Sequence, residues 1–580
     1  MSFEETKGRL LAASETAENL LALVNGLYVQ EIRSEEKTLT DALSELHNTG
    51  KIDFVGIVKG IDKNSYEYNF FKILRVFESV LPLLDARVED ILHCLTCLTQ
   101  QAGRDLAIGG VYEAFRHFCR VDESRSRNSV EFILTQSKLS LYVPFLSGSI
   151  LAYGSDRMAE AIQATENLIV NSNKMVRNQA YFSLGRLGID ETQANVIWEL
   201  LSGSATSEHD SDCRASILGA ILHFGETFPI YWPQIEELLV MFVEAASTEV
   251  LYAISDIVAF QNIDLPESVL HLLVKQLANV SPEQKGIIDN IDDLLVILVE
   301  RNLSSLAIEL LESILAVGVE FTSLSYFATE LRSKHQELRD HIITKWFLYG
   351  ESFLCRGVFD LLKDVTAKDI ELKADILLLG DEVKQTFVSR KAVGWLFNRP
   401  IAAASFILSI YDIASTTTRE DLELILYDPL FLSYPGALNR FYRSCLDKGV
   451  QEHLCKSLVG KLEFYHADLD SVSELKELMA PNENIRAYWK YVDRDMQEMH
   501  DAASKSSFIQ MIATTRRILY GNSSIYYLPQ IDGKSVRQEM QMQSFSHSTE
   551  MPRLDILDPE SLDYILRIYR CERMKNEINS

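Results

Sequence analysis

The stretch "MVRNQAYFSLGRLG", Met175–Gly188, sets Val176, Ala180, Leu184 and Leu187 at the three-and-four spacing of one buried helix face. The stretch "DCRASILGAILHFG" repeats it in register 37 positions on: Arg177 becomes Arg214, Leu184 becomes Ile221 and Gly188 becomes Gly225. The same step leads to Ile254 and Val258 in "VLYAISDIVAF", and once more to Ile291, Leu295 and Leu298 in "IDNIDDLLVIL". An apolar helical pattern precedes each, at about 158–171, 191–202, 233–245 and 266–277. The repeating unit is therefore a pair of helices. One pair cannot cover its own apolar faces, so neighbours must stack and share a continuous core.

With its Val-Arg, a small residue three positions after the Arg, and a Leu-Gly ending, "VRNQAYFSLGRLG" resembles the second helix of a HEAT repeat. The resemblance extends over 156–188 and 190–225, and over 228–300 in core spacing alone; Leu251 stands where an arginine ladder would continue. It implies an all-α, right-handed α-solenoid of HEAT-like helical pairs, an architecture that serves mostly to bind other macromolecules. Some HEAT-like proteins act on DNA bases, which keeps a nucleic-acid reading in view.

Composition agrees with long helices: of 580 residues only 26 are Gly and 13 Pro, and 47% are hydrophobic. Against 56 Lys and Arg stand 83 Asp and Glu, a net charge of −27, which repels a phosphate backbone and favours a partner with a basic surface. Eight scattered cysteines read as reduced core thiols. The N-terminal "MSFEETKGRLLAASETAENLLALV" is acidic where a secretory signal would be basic, and no uncharged apolar run approaches a membrane span. A cytoplasmic location is expected, with no membrane association.

Four segments follow. Residues 1–155 are irregular helical pairs, 156–300 the regular repeats, 301–510 divergent helical repeats or a second helical domain, and 511–580 a C-terminal element of different character. Its "SIYYLPQIDGKSVRQEMQMQS", Ser524–Ser544, alternates as two strands around an Asp532-Gly533 turn and precedes a final helix in "DPESLDYILRIYRCER". A lone hairpin is marginal, so it is either a cap for the open end of the array or a recognition element bearing Tyr526, Tyr527, Arg537, Phe545 and His547.

Catalytic signatures are absent: there is no Gly-x-Ser-x-Gly elbow and no phosphate-binding glycine loop. "HCLTC" at His93–Cys97 has metal-ligand spacing but lies in an ordinary apolar stripe, and the acidic loop with His209, Asp210 and Asp212 lacks the glycine and glutamate of a calcium loop. No catalytic residue, metal or cofactor is expected. The best local candidate for a binding surface is "SRKAVGWLFNRP", Ser389–Pro400, where Arg390, Lys391 and Arg399 accompany Trp395 and Phe397. Its alternative is a core helix with solvated ends. The function expected is that of a non-catalytic protein-interaction scaffold or adaptor, and the alternative is a nucleic-acid-processing or regulatory subunit of a larger complex, such as one of host defence.

Overall fold

A computed structural model describes residues 2–574 apart from 34–35, 66–67, 104, 106–107, 245, 262, 364–369, 473–474, 476–481, 507–522, 530–534 and 542–549. The chain is all-α in class and forms two compact units, Met1–Val317 and Gly318–Ser580.

In the first unit the 37-residue step becomes a row of helices. Lys174–Leu184, Ser211–Thr227, Thr248–Phe260 and Lys285–Glu300 each pack against the next, an arrangement consistent with a helical repeat. Before them run Met158–Ile169, Glu191–Ser207, Trp232–Val243 and Glu267–Gln276, close to where the spacing sets them, and the last three touch one another as a second layer. The repeated apolar positions are the core: Val176, Ala180, Ile217, Ile221, Ile254, Ile291 and Leu295 are all fully buried. Local chemistry starts each helix of the row. Asn173, Asp210 and Ser247 stand just outside three of them and accept backbone N–H groups that the first turn leaves unpaired.

Two contacts fix the spacing within the row. A Cβ on Gly185 would lie 2.3 Å from Ala220 Cα and 2.6 Å from its carbonyl oxygen, so the glycine lets two backbones meet where no other residue fits. Arginines near the start of successive helices donate to carbonyls at the ends of neighbouring helices and turns. Arg177 donates to Asn171 O at 3.0 Å and Arg214 to Glu208 O at 3.3 Å and Phe242 O at 2.8 Å. Earlier in the chain Arg125 donates to Phe118 O at 3.1 Å with its guanidinium over the Phe118 ring. These donors satisfy carbonyls that a helix end leaves open.

Arg177 also grips the carboxylate of Glu208 at 2.8 Å, which accepts the backbone N–H groups of His209 and Asp210 at 3.0 Å each and the Tyr181 hydroxyl at 3.2 Å. Burial alone would raise the pKa of Glu208; the guanidinium and the N–H donors overcome it and hold the pKa down at about 2. The acidic loop is thus committed to structure, for Asp210 and Asp212 also pair with Lys174 at 3.4 and 2.7 Å.

The second unit is arranged around Glu382–Leu396. This helix packs against Gln336–Tyr349, Ser352–Leu361, Pro400–Tyr411, Thr416–Ile425 and Pro559–Cys571, and its residues are buried nearly all round. Strands Ser523–Pro529 and Ser535–Gln541 pair antiparallel, with Tyr527 opposite Arg537 and Pro529 opposite Ser535 at the strand end. Expected turn residues Asp532 and Gly533, like Phe545 and His547, lie outside the described residues. The expected hairpin-and-helix cap is not supported: the final helix, Pro559–Cys571, packs on Glu382–Leu396 in the middle of its unit, because apolar Leu562 and Leu566 are buried there.

Two predictions follow from the row. Gly185→Ala is expected to destabilise the first unit by roughly 1–3 kcal/mol through overpacking against Ala220, whereas Gly219→Ala, whose Cβ would meet only Ile257 Cδ1 at 4.0 Å, is expected to stabilise it by about 0.5–1 kcal/mol; denaturant unfolding of both variants checks the signs. The depressed pKa of Glu208 means that its stabilisation is complete above its ordinary value of 4.5 and is lost as pH falls toward about 2. Denaturation at pH 7, 4.5 and 3 is therefore expected to show wild type losing more stability on acidification than Glu208→Gln, and parallel losses would contradict the ion pair's role.

Candidate functional site

The residues singled out at 389–400 are engaged within the protein. Lys391 is wholly buried, and its ammonium donates to the carbonyls of Arg570 at 2.7 Å and Glu572 at 2.6 Å. A cation at this helix C-terminus satisfies open carbonyls and opposes the negative end of the helix dipole. Burial pulls the pKa of Lys391 down, and those two oxygens are what hold the charge in place. Arg390 pairs with the Glu572 carboxylate at 2.9 Å, and Arg570 donates back to Gly394 O at 2.6 Å. A Cβ on Gly394 would come within 3.1 Å of Tyr569, so this glycine allows the close approach. Arg573 completes the attachment at the Gly350 carbonyl and Glu351. Arg399 donates to Lys363 O at 2.8 Å, and Trp395 is half-buried.

Of the residues expected to form a binding surface, Arg390 and Lys391 anchor the chain's own last helix, while Arg399 holds the carbonyl of Lys363. Tyr526, Tyr527 and Arg537 fall on the paired strands. The metal-like "HCLTC" holds His93 against the Tyr142 hydroxyl at 2.8 Å, while burial pushes the Cys94 thiol up.

What the sequence did not single out is a groove of about 740 Å³ along the row of the first unit. It follows the same 37-residue register on the face away from the core. Positions 178, 215 and 252 are Asn178, Ala215 and Tyr252; positions 182, 219 and 256 are Phe182, Gly219 and Asp256; Met175, Asp212 and Glu249 form a third set. Small residues in the second helix leave a trough between aromatic side chains of its neighbours. Met175 is 38% exposed, Phe182 38% and Tyr252 50%, so apolar surface lies open to solvent in the trough.

The two ends of the groove differ in charge. Arg186 stacks its guanidinium 3.9 Å above the Phe182 ring, donates to Phe182 O at 3.3 Å and reaches His223 Nε2 at 2.6 Å. Among the described residues no carboxylate forms an ion pair with it, and burial lowers its pKa to about 10. His223 is held below its usual value by burial and then by the Arg186 charge, which fits a neutral ring accepting at Nε2. Toward the other end stand Glu249 and Asp256, and the face continues to Asp289 and Asp293.

Lys391→Met is expected to leave the carbonyls of Arg570 and Glu572 without their donor, a loss of roughly 1–3 kcal/mol or more. Hydrogen exchange is expected to quicken across Pro559–Cys571, with trypsin gaining access at Arg567 and Arg570; unchanged protection would show that apolar packing alone seats the helix.

No family model matches this chain, and no curated protein matches it. Among solved structures it is similar to a circular tandem repeat protein with novel repeat topology and enhanced subunit contact surfaces, at 13% identity over 85% of this chain and 99% of that one. The TM-score is 0.14, so the likeness carries no weight for function, which rests on the residues themselves.

Proposed function

We propose that this protein is a non-catalytic protein-interaction scaffold: a HEAT-like α-solenoid whose row of second helices presents one face to a protein partner. The observation that carries this reading is the groove at Lys174–Ile287, where Met175, Phe182 and Tyr252 lie exposed in a repeat face that also carries small, amide and charged side chains. Exposed aromatic residues in a concave, partly apolar trough are the usual anchors of protein recognition. Charge supports the same choice. A nucleic-acid groove needs a continuous basic stripe, and this face sets Asp212, Glu249 and Asp256 beside Lys174, Arg186 and Lys285 within a chain of net charge −27. A partner with a basic surface is favoured, and its association would be slowed by salt.

The test is recovery of the tagged full chain from its source cells at moderate salt, with and without nuclease. A stoichiometric protein retained in both cases, and lost with Phe182→Ala/Tyr252→Ala, is the expected result. Recovery of nucleic acid, or of partners that nuclease releases, would overturn the reading.

A further inference from the structure

The groove is polarised, and its polarity specifies what it can hold. At one end Arg186 offers a guanidinium with no carboxylate in ion-pair range among the described residues. In the middle Gly219 leaves open space, since a Cβ there would have Ile257 Cδ1 at 4.0 Å as its nearest neighbour. Phe182 and Tyr252 stand on the helices to either side of it. At the far end Glu249, Asp256, Asp289 and Asp293 share the face with Lys285, and among the described residues none of the four carboxylates forms an ion pair. Asp212 is different: Lys174 neutralises it at 2.7 Å. The net field therefore runs from positive at Arg186 to negative beyond Tyr252.

We propose that the groove binds a short extended segment of a protein partner carrying an acidic side chain for Arg186, a large apolar side chain over Gly219, and basic side chains at the acidic end. This rests on the reading of the protein as a protein-binding scaffold and adds the order of residues it recognises. Packed helices lie 8–10 Å apart, so the three intervals from the Arg186 helix to the Asp293 helix span roughly 27 Å. An extended chain covers that distance in about eight residues. The apolar side chain gains burial between two aromatic rings, and the guanidinium gains the charge-assisted acceptor that it lacks. A segment basic at both ends would set like charge against Arg186, and an acidic one would be repelled at Asp289 and Asp293.

The experiment is selection of a displayed library of random nonapeptides on the full-length protein, followed by binding measurements on Gly219→Leu, Arg186→Gln and Phe182→Ala/Tyr252→Ala. The leucine fills the open space from a helix interior that tolerates it, so its melting temperature is expected to be equal to or above wild type while binding falls at least tenfold. The enriched peptides are expected to read acidic, apolar, basic in one or the other chain direction, and Arg186→Gln is expected to abolish the acidic preference alone. Should Gly219→Leu fold poorly, the exposed pair Phe182→Ala/Tyr252→Ala supplies the same tenfold test. Peptides that bind Gly219→Leu and the double variant as tightly as wild type, or a consensus lacking this charge order, would overturn the inference. No enrichment, with a nuclease-resistant partner still recovered from cells, would also overturn it while leaving the scaffold reading intact.

Discussion

Everything in the first unit depends on one constraint: a pair of amphipathic helices has more apolar face than it can bury by itself. Stacking is the remedy, and the contact of Gly185 with Ala220 shows how closely it is made. Once the second helices are held in register, each face repeats at the same interval. The core repeats as Ala180, Ile217, Ile254 and Ile291. The open face must repeat as well, as Phe182, Gly219, Asp256 and Asp293. A binding trough is thus a consequence of the stacking, with chemistry set by what stands at the free positions.

The same structure explains where the positive charge goes. Arg125, Arg177 and Arg214 donate to carbonyls at the ends of neighbouring helices and turns, and Lys391 does so in the second unit from a fully buried position. Each cation satisfies acceptors that would be costly to leave open. With these groups committed to the backbone, carboxylates prevail toward one end of the exposed repeat face, at Glu249, Asp256, Asp289 and Asp293. An acidic surface and a basic interior scaffolding are two sides of one arrangement.

Much of the first unit was legible in the sequence, because a core position that recurs every 37 residues leaves an apolar signature in each repeat. The trough leaves no such signature, although the same register moved by two positions traces it from Phe182 to Gly219. A glycine on an exposed helix face carries no hydropathy signal; its meaning comes from Tyr252 and Phe182 on adjacent helices. The surroundings of Lys391 are hidden in the sequence for a different reason. Its helix shows positive charge beside aromatic residues, but what covers them is Arg570 and Glu572, close to 180 positions later, and periodicity is blind to so distant a contact. The final helix likewise announced its start through Asp558 and Pro559 but not its destination.

The claim at the centre of this account is that a protein partner lies in the trough, and proximity tests it most directly. A photoreactive amino acid placed at position 219 in the source cells reports what passes over the groove, and the same residue at the exposed Val240 of the other helix layer serves as control. The account predicts a discrete polypeptide adduct at 219, with the crosslinked residue in a segment that is acidic on one side and basic on the other, and no such adduct at 240. Adducts to nucleic acid at 219, or the same polypeptide captured at 240 and not at 219, would contradict it.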